Sequence, residues 1–204
     1  MARSDPDKRM KDLYDAKREP TLVDVPAMNF LMIDGMGDPN TSRDYREAVE
    51  ALYSLSYKLK FAVKKAGGPD YRVSPLEALW WADDPSTFLH GKKDEWRWTV
   101  MIMQPEPVTE EMVAHIKEEL GKKKDLPALS RIRFERFEEG LSVQVLHIGP
   151  YSEEGPTIQK MHAYAADNGY VLRDKHHEIY IGDPRRAAPE KLKTILRQPV
   201  TSAQ

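Results

Sequence analysis

The sequence predicts an α+β fold made of two strand-helix-strand-strand modules with antiparallel sheets. The first observation is the order of the elements, because strand, helix, strand, strand and helix are followed by nearly the same order again. The second is a pair of similar local signals: Glu77 and Glu178 each precede apolar strand residues and an Asp-Pro pair, about half the chain apart. Hydrophobic residues make up 40% of the chain, which is enough for a core. Together these observations favour a duplicated module.

The first half of the chain begins with a highly charged segment, residues 1–20, which predicts an exposed arm with a short helical turn near Leu13. A strand follows, with Pro26 near its edge. Thr41 or Ser42 is a favourable N-cap for a long helix that a Gly-Gly-Pro sequence ends. A second helix has an acidic start and a lysine-rich end, which suits the helix dipole. The predicted strands are 22–33, 71–82 and 95–104, and the predicted helices are 41–66 and 109–124.

The second half begins with two alternating strands joined by the turn Glu138-Glu139-Gly140. A third helix ends just before Gly169, and two short strands follow it. Asp-Pro at residue 183 ends the second of these and begins a turn over residues 183–186. A last short helix is predicted because Pro189 would occupy its first position. After it, the chain is expected to pair only briefly with a strand. The predicted strands are 132–137, 143–148, 171–172 and 178–181, and the predicted helices are 154–167 and 189–196.

Composition narrows the classes of function. The 204 residues include 31 basic and 33 acidic side chains, and this balance argues against a nucleic-acid-binding protein. The absence of cysteine removes disulfides, zinc-thiolate sites and thiol catalysis. The polar start leads to no apolar signal region, and no apolar run approaches the roughly 20 residues that span a bilayer. We therefore expect a cytoplasmic monomer without membrane contact.

Glu178 places a carboxylate in the middle of a strand that is otherwise apolar. Such a group is costly to bury unless it faces water, a partner or a ligand. Because side chains alternate along a strand, Glu178 and Tyr180 share one face, whereas Ile179 and Ile181 share the other and are expected to pack against a helix. The acid would then face away from that helix, toward a cleft between the two halves or, on an ordinary half-exposed sheet, toward solvent.

Aromatic residues are concentrated in the first half. An aromatic core explains any single tryptophan, but four exceed what one small core holds, so one or two are expected to line a pocket. Indole and phenol rings stack on planar ligands and attract cations. Glu77 invites the same interpretation as Glu178, although both faces of its strand are apolar. The tryptophans are Trp80, Trp81, Trp96 and Trp98.

The histidines indicate a functional site less clearly than the acids and tryptophans do. His147 could serve as an acid or base near neutral pH, or it could be a hydrogen-bonded histidine at a strand end. His176 and His177 are adjacent, so they point to opposite sides of a strand and do not chelate one metal together. Metal-binding motifs, nucleophile triads and phosphate-binding glycine loops are absent from the sequence. We expect neither a metal nor a cofactor.

Three segments carry a resemblance to a known family: residues 145–151 (VLHIGPY), 168–170 (NGY) and 178–185 (EIYIGDPR). They resemble the gyrase-inhibitor-like (GyrI-like) small-molecule-binding domain, from about Leu22 to Val200. The resemblance implies a single domain over residues 21–204 with two modules, about 21–125 and 126–204, related by a pseudo-two-fold axis. It also implies a ligand groove between them. Residues 75–81 and 95–98, which are rich in tryptophan, resemble one stand-alone branch of the family.

Many members of the family carry a preceding DNA-binding domain, for which about 20 residues are too few, so direct nucleic-acid binding is not expected. The stand-alone branch includes proteins that hydrolyse cyclopropane-bearing DNA-alkylating natural products of the yatakemycin and duocarmycin type. The resemblance implies that Glu178 is the pocket acid, and we expect it to act as the base that activates water. Tyr71 or Tyr180 would stabilise the developing oxyanion. The expected ligand-binding residues are Trp80, Trp81, Trp96, Trp98, Glu77 and His147.

Two other functions fit the same residues. An acid within an aromatic cage also suits lipophilic cations, so the protein could be a non-catalytic drug sponge or sensor. The third is a gyrase-interacting inhibitor, for which the sequence offers no discriminating residue. For both the hydrolase and the drug-binding protein, the expected partner is a planar hydrophobic small molecule.

Overall fold

The computed structural model describes residues 13–83, 92–182 and 187–203, which contain nine β-strands and three α-helices. The strands are β1 (Thr21–Val25), β2 (Met28–Met36), β3 (Leu76–Trp81), β4 (Arg97–Gln104), β5 (Arg133–Phe137), β6 (Gly140–Ile148), β7 (Tyr170–Leu172), β8 (His176–Tyr180) and β9 (Lys193–Ser202). The helices are α1 (Arg43–Lys65), α2 (Glu110–Gly121) and α3 (Gly155–Asp167). The strand pairs are antiparallel, and the predicted α+β class is confirmed.

The described residues form two compact units. Met28–Phe137 form one unit, which we call the central unit because it lies in the middle of the sequence. The flanking unit consists of the sequence on either side, up to Ala27 and from Glu138 onward. The units divide the chain at other residues than the predicted modules do, because β1 pairs with β6 whereas β5 pairs with β2. Each unit nevertheless contains one strand-helix-strand-strand series, β2-α1-β3-β4 in the first case and β6-α3-β8-β9, with the short β7, in the second.

The central unit has a sheet with the strand order β3-β4-β2-β5. Its long helix begins where predicted, because the Ser42 hydroxyl caps it by accepting a hydrogen bond from the Tyr45 backbone N–H at 3.2 Å. The Gln104 side-chain amide donates to the Ser56 hydroxyl at 3.2 Å, which shows that α1 covers the face carrying Gln104. The opposite face carries its own apolar cluster, formed by Phe30, Met32, Leu79 and Met101.

The flanking unit has a sheet with the strand order β1-β6-β9-β8, and β7 pairs with the end of β9. Met161 and Ala165 of α3 pack on one face of this sheet, against Val143, Val145 and Leu196. The opposite face is covered by part of the arm that was expected to be exposed, since Leu13 and Ala16 are buried there. Residues 1–12 of that arm lie outside the described residues, as do 84–91 and the predicted turn at 183–186.

Three predicted elements need correction. The strand expected over residues 22–33 is two strands, β1 and β2, which separate at Pro26 because proline lacks the N–H that continues a ladder. The strand expected from Tyr71 begins only at Leu76. The helix expected over residues 189–196 is wrong: Pro189–Lys191 form one 3₁₀ turn, and the long strand β9 follows.

Candidate functional site

Glu178 lies on the face of the flanking sheet that α3 covers, and not on the opposite face as predicted. Its cross-strand partner is Leu196, which packs against α3, and cross-strand partners share a face. Ile179 pairs with Ile195 and packs with Ala16 on the other face. The N-terminal segment therefore covers the isoleucine that was expected to pack against a helix, and this leaves the helix side to the acid.

Two side chains of the same strand flank the Glu178 carboxylate. The Tyr180 hydroxyl donates a hydrogen bond to Oε2 at 2.7 Å. The His176 Nε2 atom lies 3.6 Å from Oε1. All three residues project from one face because they alternate along β8. The Glu178 side chain is 15% exposed, so it is held by neighbours while part of it remains accessible.

A second acid, Glu154, stands beside Glu178 at the start of α3. The pKa of its carboxyl is raised to about 9, first by burial and then by the charge of Glu178, against a smaller lowering by the Thr194 hydroxyl. Glu154 is therefore a neutral acid near pH 7, next to a charged carboxylate. A pair of titratable groups whose environments separate their protonation states is the usual arrangement of an acid and a base.

Sequence reasoning missed Glu154. Its position at the N-cap of α3 was its only signal, and an acidic residue at a helix start is ordinarily explained by the helix dipole. Its proximity to Glu178 depends on the pairing of β8 with β9 and on the packing of α3, which no local pattern indicates. The resulting acid cluster, as we call it, consists of Glu178, Glu154, Tyr180 and His176.

Aromatic and imidazole rings border the acid cluster. The Tyr151 ring meets the Tyr180 ring edge to face, with centroids 5.6 Å apart. Tyr151 is 39% exposed, so part of its surface is open to a ligand. His162 of α3 is partly buried; burial lowers the pKa of its imidazole, and the charge of His176 lowers it further.

His147 is a hydrogen-bonded histidine at the end of β6. Its Nδ1 atom accepts from the Thr157 hydroxyl at 2.9 Å, and its Nε2–H donates to the Pro150 carbonyl at 3.3 Å. Both nitrogens are thus used to join β6 to the start of α3. The ligand-binding role proposed for His147 stays a prediction.

The tryptophans divide between the two faces of the central sheet. Trp80 and Trp98 are cross-strand partners on the face that α1 covers, whereas Trp81 lies on the other face. Tyr45 of α1 stacks with Trp80 at 6.1 Å and meets Trp98 edge to face at 5.2 Å. Trp98 is fully buried and belongs to the core of this unit, and Trp96 meets Trp80 edge to face at 6.0 Å. Their roles in ligand binding stay predictions.

Glu77 and Glu178 do not occupy equivalent positions. Glu77 pairs with Met101, on the face of the central sheet opposite α1, whereas Glu178 lies on the helix face of its own sheet. A difference of one residue in register changes the face, so the matching sequence signals are offset by one strand position. Glu77 is completely buried.

Tyr71 precedes β3 and has a buried hydroxyl that makes no hydrogen bond to the described part of the chain. Burial raises the pKa of this phenol to about 12, so it keeps its proton at neutral pH. Such a hydroxyl remains able to donate to a ligand.

Within residues 13–83, 92–182 and 187–203, histidine and carboxylate side chains form no group of three or more suited to a metal ion. Over the same described ranges, each helix is too short or too polar to cross a bilayer.

Residues 18–201 match the GyrI-like small molecule binding domain. The chain belongs to this family. The predicted resemblance is thereby confirmed over its whole predicted extent, and the protein contains a small-molecule-binding domain.

Solved structures of similar chains include two from Listeria innocua. An uncharacterized conserved protein is 43% identical with a TM-score of 0.88, over 95% of this chain and 98% of its own. A protein described as a hydrolase is 43% identical with a TM-score of 0.83, over the same shares of both chains. The C-terminal domain of EcmrR, at 14% identity and a TM-score of 0.55 over 90% of this chain and 98% of its own, shares the fold. No protein of curated function matches significantly.

Proposed function

We propose that this GyrI-like protein binds planar hydrophobic small molecules and hydrolyses cyclopropane-bearing DNA-alkylating compounds of the yatakemycin and duocarmycin type. The observation that carries the proposal is the pairing of the charged Glu178 with Glu154, whose pKa is raised to about 9. A base and an acid are the two groups that the addition of water to such a compound requires. The similar Listeria protein described as a hydrolase supports the reaction class.

Glu178 acts as the base. A water molecule between Glu178 and the ligand transfers a proton to the carboxylate as its oxygen bonds to the cyclopropane carbon. The ring carbon–carbon bond breaks, and its electron pair passes through the dienone to the carbonyl oxygen, which becomes a phenolate. Protonation of this oxygen gives the phenol, so the net change is the addition of one water. The Tyr180 hydroxyl fixes the carboxylate through its 2.7 Å hydrogen bond.

Glu154 supplies the acid. Because it keeps its proton at neutral pH, it can donate to the oxygen on which negative charge develops. Tyr180 was one of the two predicted donors, but its hydroxyl already donates to Glu178, so we assign it to orienting the base. The role of Tyr71, the other predicted donor, stays a prediction; its buried hydroxyl keeps its proton and makes no hydrogen bond to the described residues.

Turnover tests this function directly. With protein at low concentration and the cyclopropanoid in excess, the dienone absorbance is expected to fall through many equivalents of protein. Glu178→Gln keeps the shape of the side chain but removes its basicity, so kcat is expected to fall by at least about 100-fold. Glu190→Gln is the matched control, because Glu190 is exposed on the 3₁₀ turn before β9 and should keep full activity. A Glu178→Gln variant with unchanged kcat would contradict the mechanism.

Binding without turnover is the second candidate function. Tyr151 and Tyr180 present two rings beside the negative charge of Glu178, an arrangement that also attracts a lipophilic cation. In that case the absorbance stops changing after one equivalent, and a planar cation such as ethidium binds. Tyr151→Ala and Glu178→Gln would then each weaken ethidium binding.

A further inference from the structure

The Glu178 carboxylate has different neighbours at its two oxygens. Oε2 accepts the hydrogen bond from Tyr180 at 2.7 Å, whereas Oε1 faces His176 Nε2 at 3.6 Å. The second distance is too long for a hydrogen bond but within reach of one after a movement of less than 1 Å. The two flanking residues lie two positions before and after Glu178 on β8, so the strand itself directs both at the carboxylate.

The side chain of His176 makes no hydrogen bond to any of the residues that the structure describes. Both ring nitrogens are buried and make no hydrogen bond, and the side chain as a whole is 18% exposed. A buried donor without an acceptor is costly, and most such groups in proteins are satisfied. Glu178 Oε1, 3.6 Å away, is an acceptor within reach of Nε2.

His162 of α3 lies near enough to His176 for the two imidazoles to interact. Burial lowers the pKa of His162, and the charge of His176 lowers it further. The Nε2 atom of His162 is also buried without a hydrogen bond to the described residues. The lowered pKa keeps the His162 imidazole uncharged at neutral pH. The same sheet face on β9 carries Thr194, Leu196 and Gln198, which are uncharged.

We propose that His176 is the positioning residue of Glu178: its Nε2–H donates to Oε1 when a ligand fills the site, so that Tyr180 and His176 together hold both carboxylate oxygens. This proposal rests on the proposed function for its kinetic consequence. A carboxylate held at both oxygens keeps one orientation toward the attacking water, and a misplacement of about 1 Å costs up to about 100-fold in rate.

Substitution separates positioning from a merely structural role. His176→Ala is expected to lower kcat by 10- to 100-fold while KM changes less than about 2-fold. His176→Gln places an amide N–H where the imidazole Nε2–H was, and should recover most of that loss. His115→Ala is the matched control, since His115 is exposed on α2 and should leave kcat unchanged. An unaltered kcat in His176→Ala, or a folded His176→Gln without recovery, overturns the proposal.

A spectroscopic readout decides the contact even if turnover is never observed. In ¹⁵N-labelled protein, the His176 Nε2–H resonance is expected to move downfield when ethidium is added, and not to move in Glu178→Gln. The same resonance behaviour in both proteins overturns the positioning role. Absence of turnover in the unsubstituted protein, with the ethidium response intact, instead rejects the hydrolase and retains the contact.

Discussion

At the scale of single residues, the flanking unit places a second charged group on the sheet face opposite the acid cluster. Glu139 accepts hydrogen bonds from Arg197 Nη1 at 3.1 Å and from His177 Nδ1 at 3.0 Å, and all three side chains are buried. Burial alone would raise the pKa of Glu139, but the charges of His177 and Arg197 lower it to about 2. Arg197 also donates to the Leu13 carbonyl at 2.8 Å, so this group fastens the N-terminal segment to the sheet.

Removing the Glu139 charge is expected to destabilise the protein strongly. Glu139→Gln leaves Arg197 buried without its counter-charge, and the loss of one partner of a buried ion pair costs about 3–5 kcal/mol. Glu138→Gln removes the charge of the exposed neighbouring residue and should change the free energy of unfolding by less than about 0.5 kcal/mol. Urea denaturation followed by circular dichroism measures both. Equal midpoints for the two variants would show that the buried group is not stabilised by its charges.

At the scale of elements, the pairing of β2 with β4 depends on one glycine. Gly35 is the cross-strand partner of Trp98, and the indole ring occupies the space that a side chain at residue 35 would need. A Cβ at Gly35 would come within 2.1 Å of the ring carbon Cη2 of Trp98, closer than atoms can approach. The fully buried ring is closely packed, with the Tyr45 ring of α1 in a T-shaped contact at a centroid distance of 5.2 Å, so it cannot easily move aside.

Gly35→Ala is therefore expected to destabilise the central unit by about 3 kcal/mol, the upper part of the range for overpacked cores. All four tryptophans lie in this unit, so intrinsic fluorescence during urea denaturation reports on it. Gly121→Ala is the control, because a Cβ there would meet Leu129 at 3.5 Å, an ordinary contact, at the end of a helix. If Gly35→Ala unfolds at the same urea concentration as Gly121→Ala, the ring does not occupy the position described.

The elements that could be predicted are those whose signals are local. The long helix α1 begins at its Ser42 cap and ends before Gly67, because caps and glycines act on adjacent residues. Strand β9 could not be predicted, since Pro189 signals a helix start and the buried residues from Thr194 to Val200 lack the alternation of a half-exposed strand. Its central position depends on pairing with β6 and β8, which are distant in sequence.

At the scale of the whole molecule, the element order followed from the sequence, and so did the choice of Glu178 as a candidate acid, whose role stays a prediction. Its surroundings did not, because they depend on which sheet face α3 covers. Periodicity correctly separated Glu178 from Ile179, but it carries no information on what lies above each face. The N-terminal segment near Leu13 packs on the face that carries Ile179, and Glu178 therefore lies on the other face, which α3 covers. For the same reason the sequence could not predict that Glu154 lies near Glu178.

The buried acids give the stability of the molecule a defined pH dependence. The folded state raises the pKa of Glu154 from 4.5 to about 9, so it binds this proton more tightly than the unfolded state does, and stability falls as pH rises through that window. The folded state lowers the pKa of Glu139 from 4.5 to about 2, so this group loses its stabilisation as pH falls through that range. The two effects place the expected maximum of stability near pH 5.

Glu154→Gln isolates the first of these contributions. The amide is neutral at every pH, so the variant should match the unsubstituted protein near pH 5 and exceed its free energy of unfolding by about 3 kcal/mol at pH 7. Urea midpoints measured at several pH values between 5 and 8.5 test this, and Glu153→Gln, an exposed neighbour, should follow the unsubstituted protein throughout. Glu178→Gln should also reduce the decline, because the charge of Glu178 contributes to the raised pKa of Glu154. Parallel curves for Glu154→Gln and the unsubstituted protein would mean that Glu154 ionises normally in the folded state, and the proposed acid of the site would then have to be sought elsewhere.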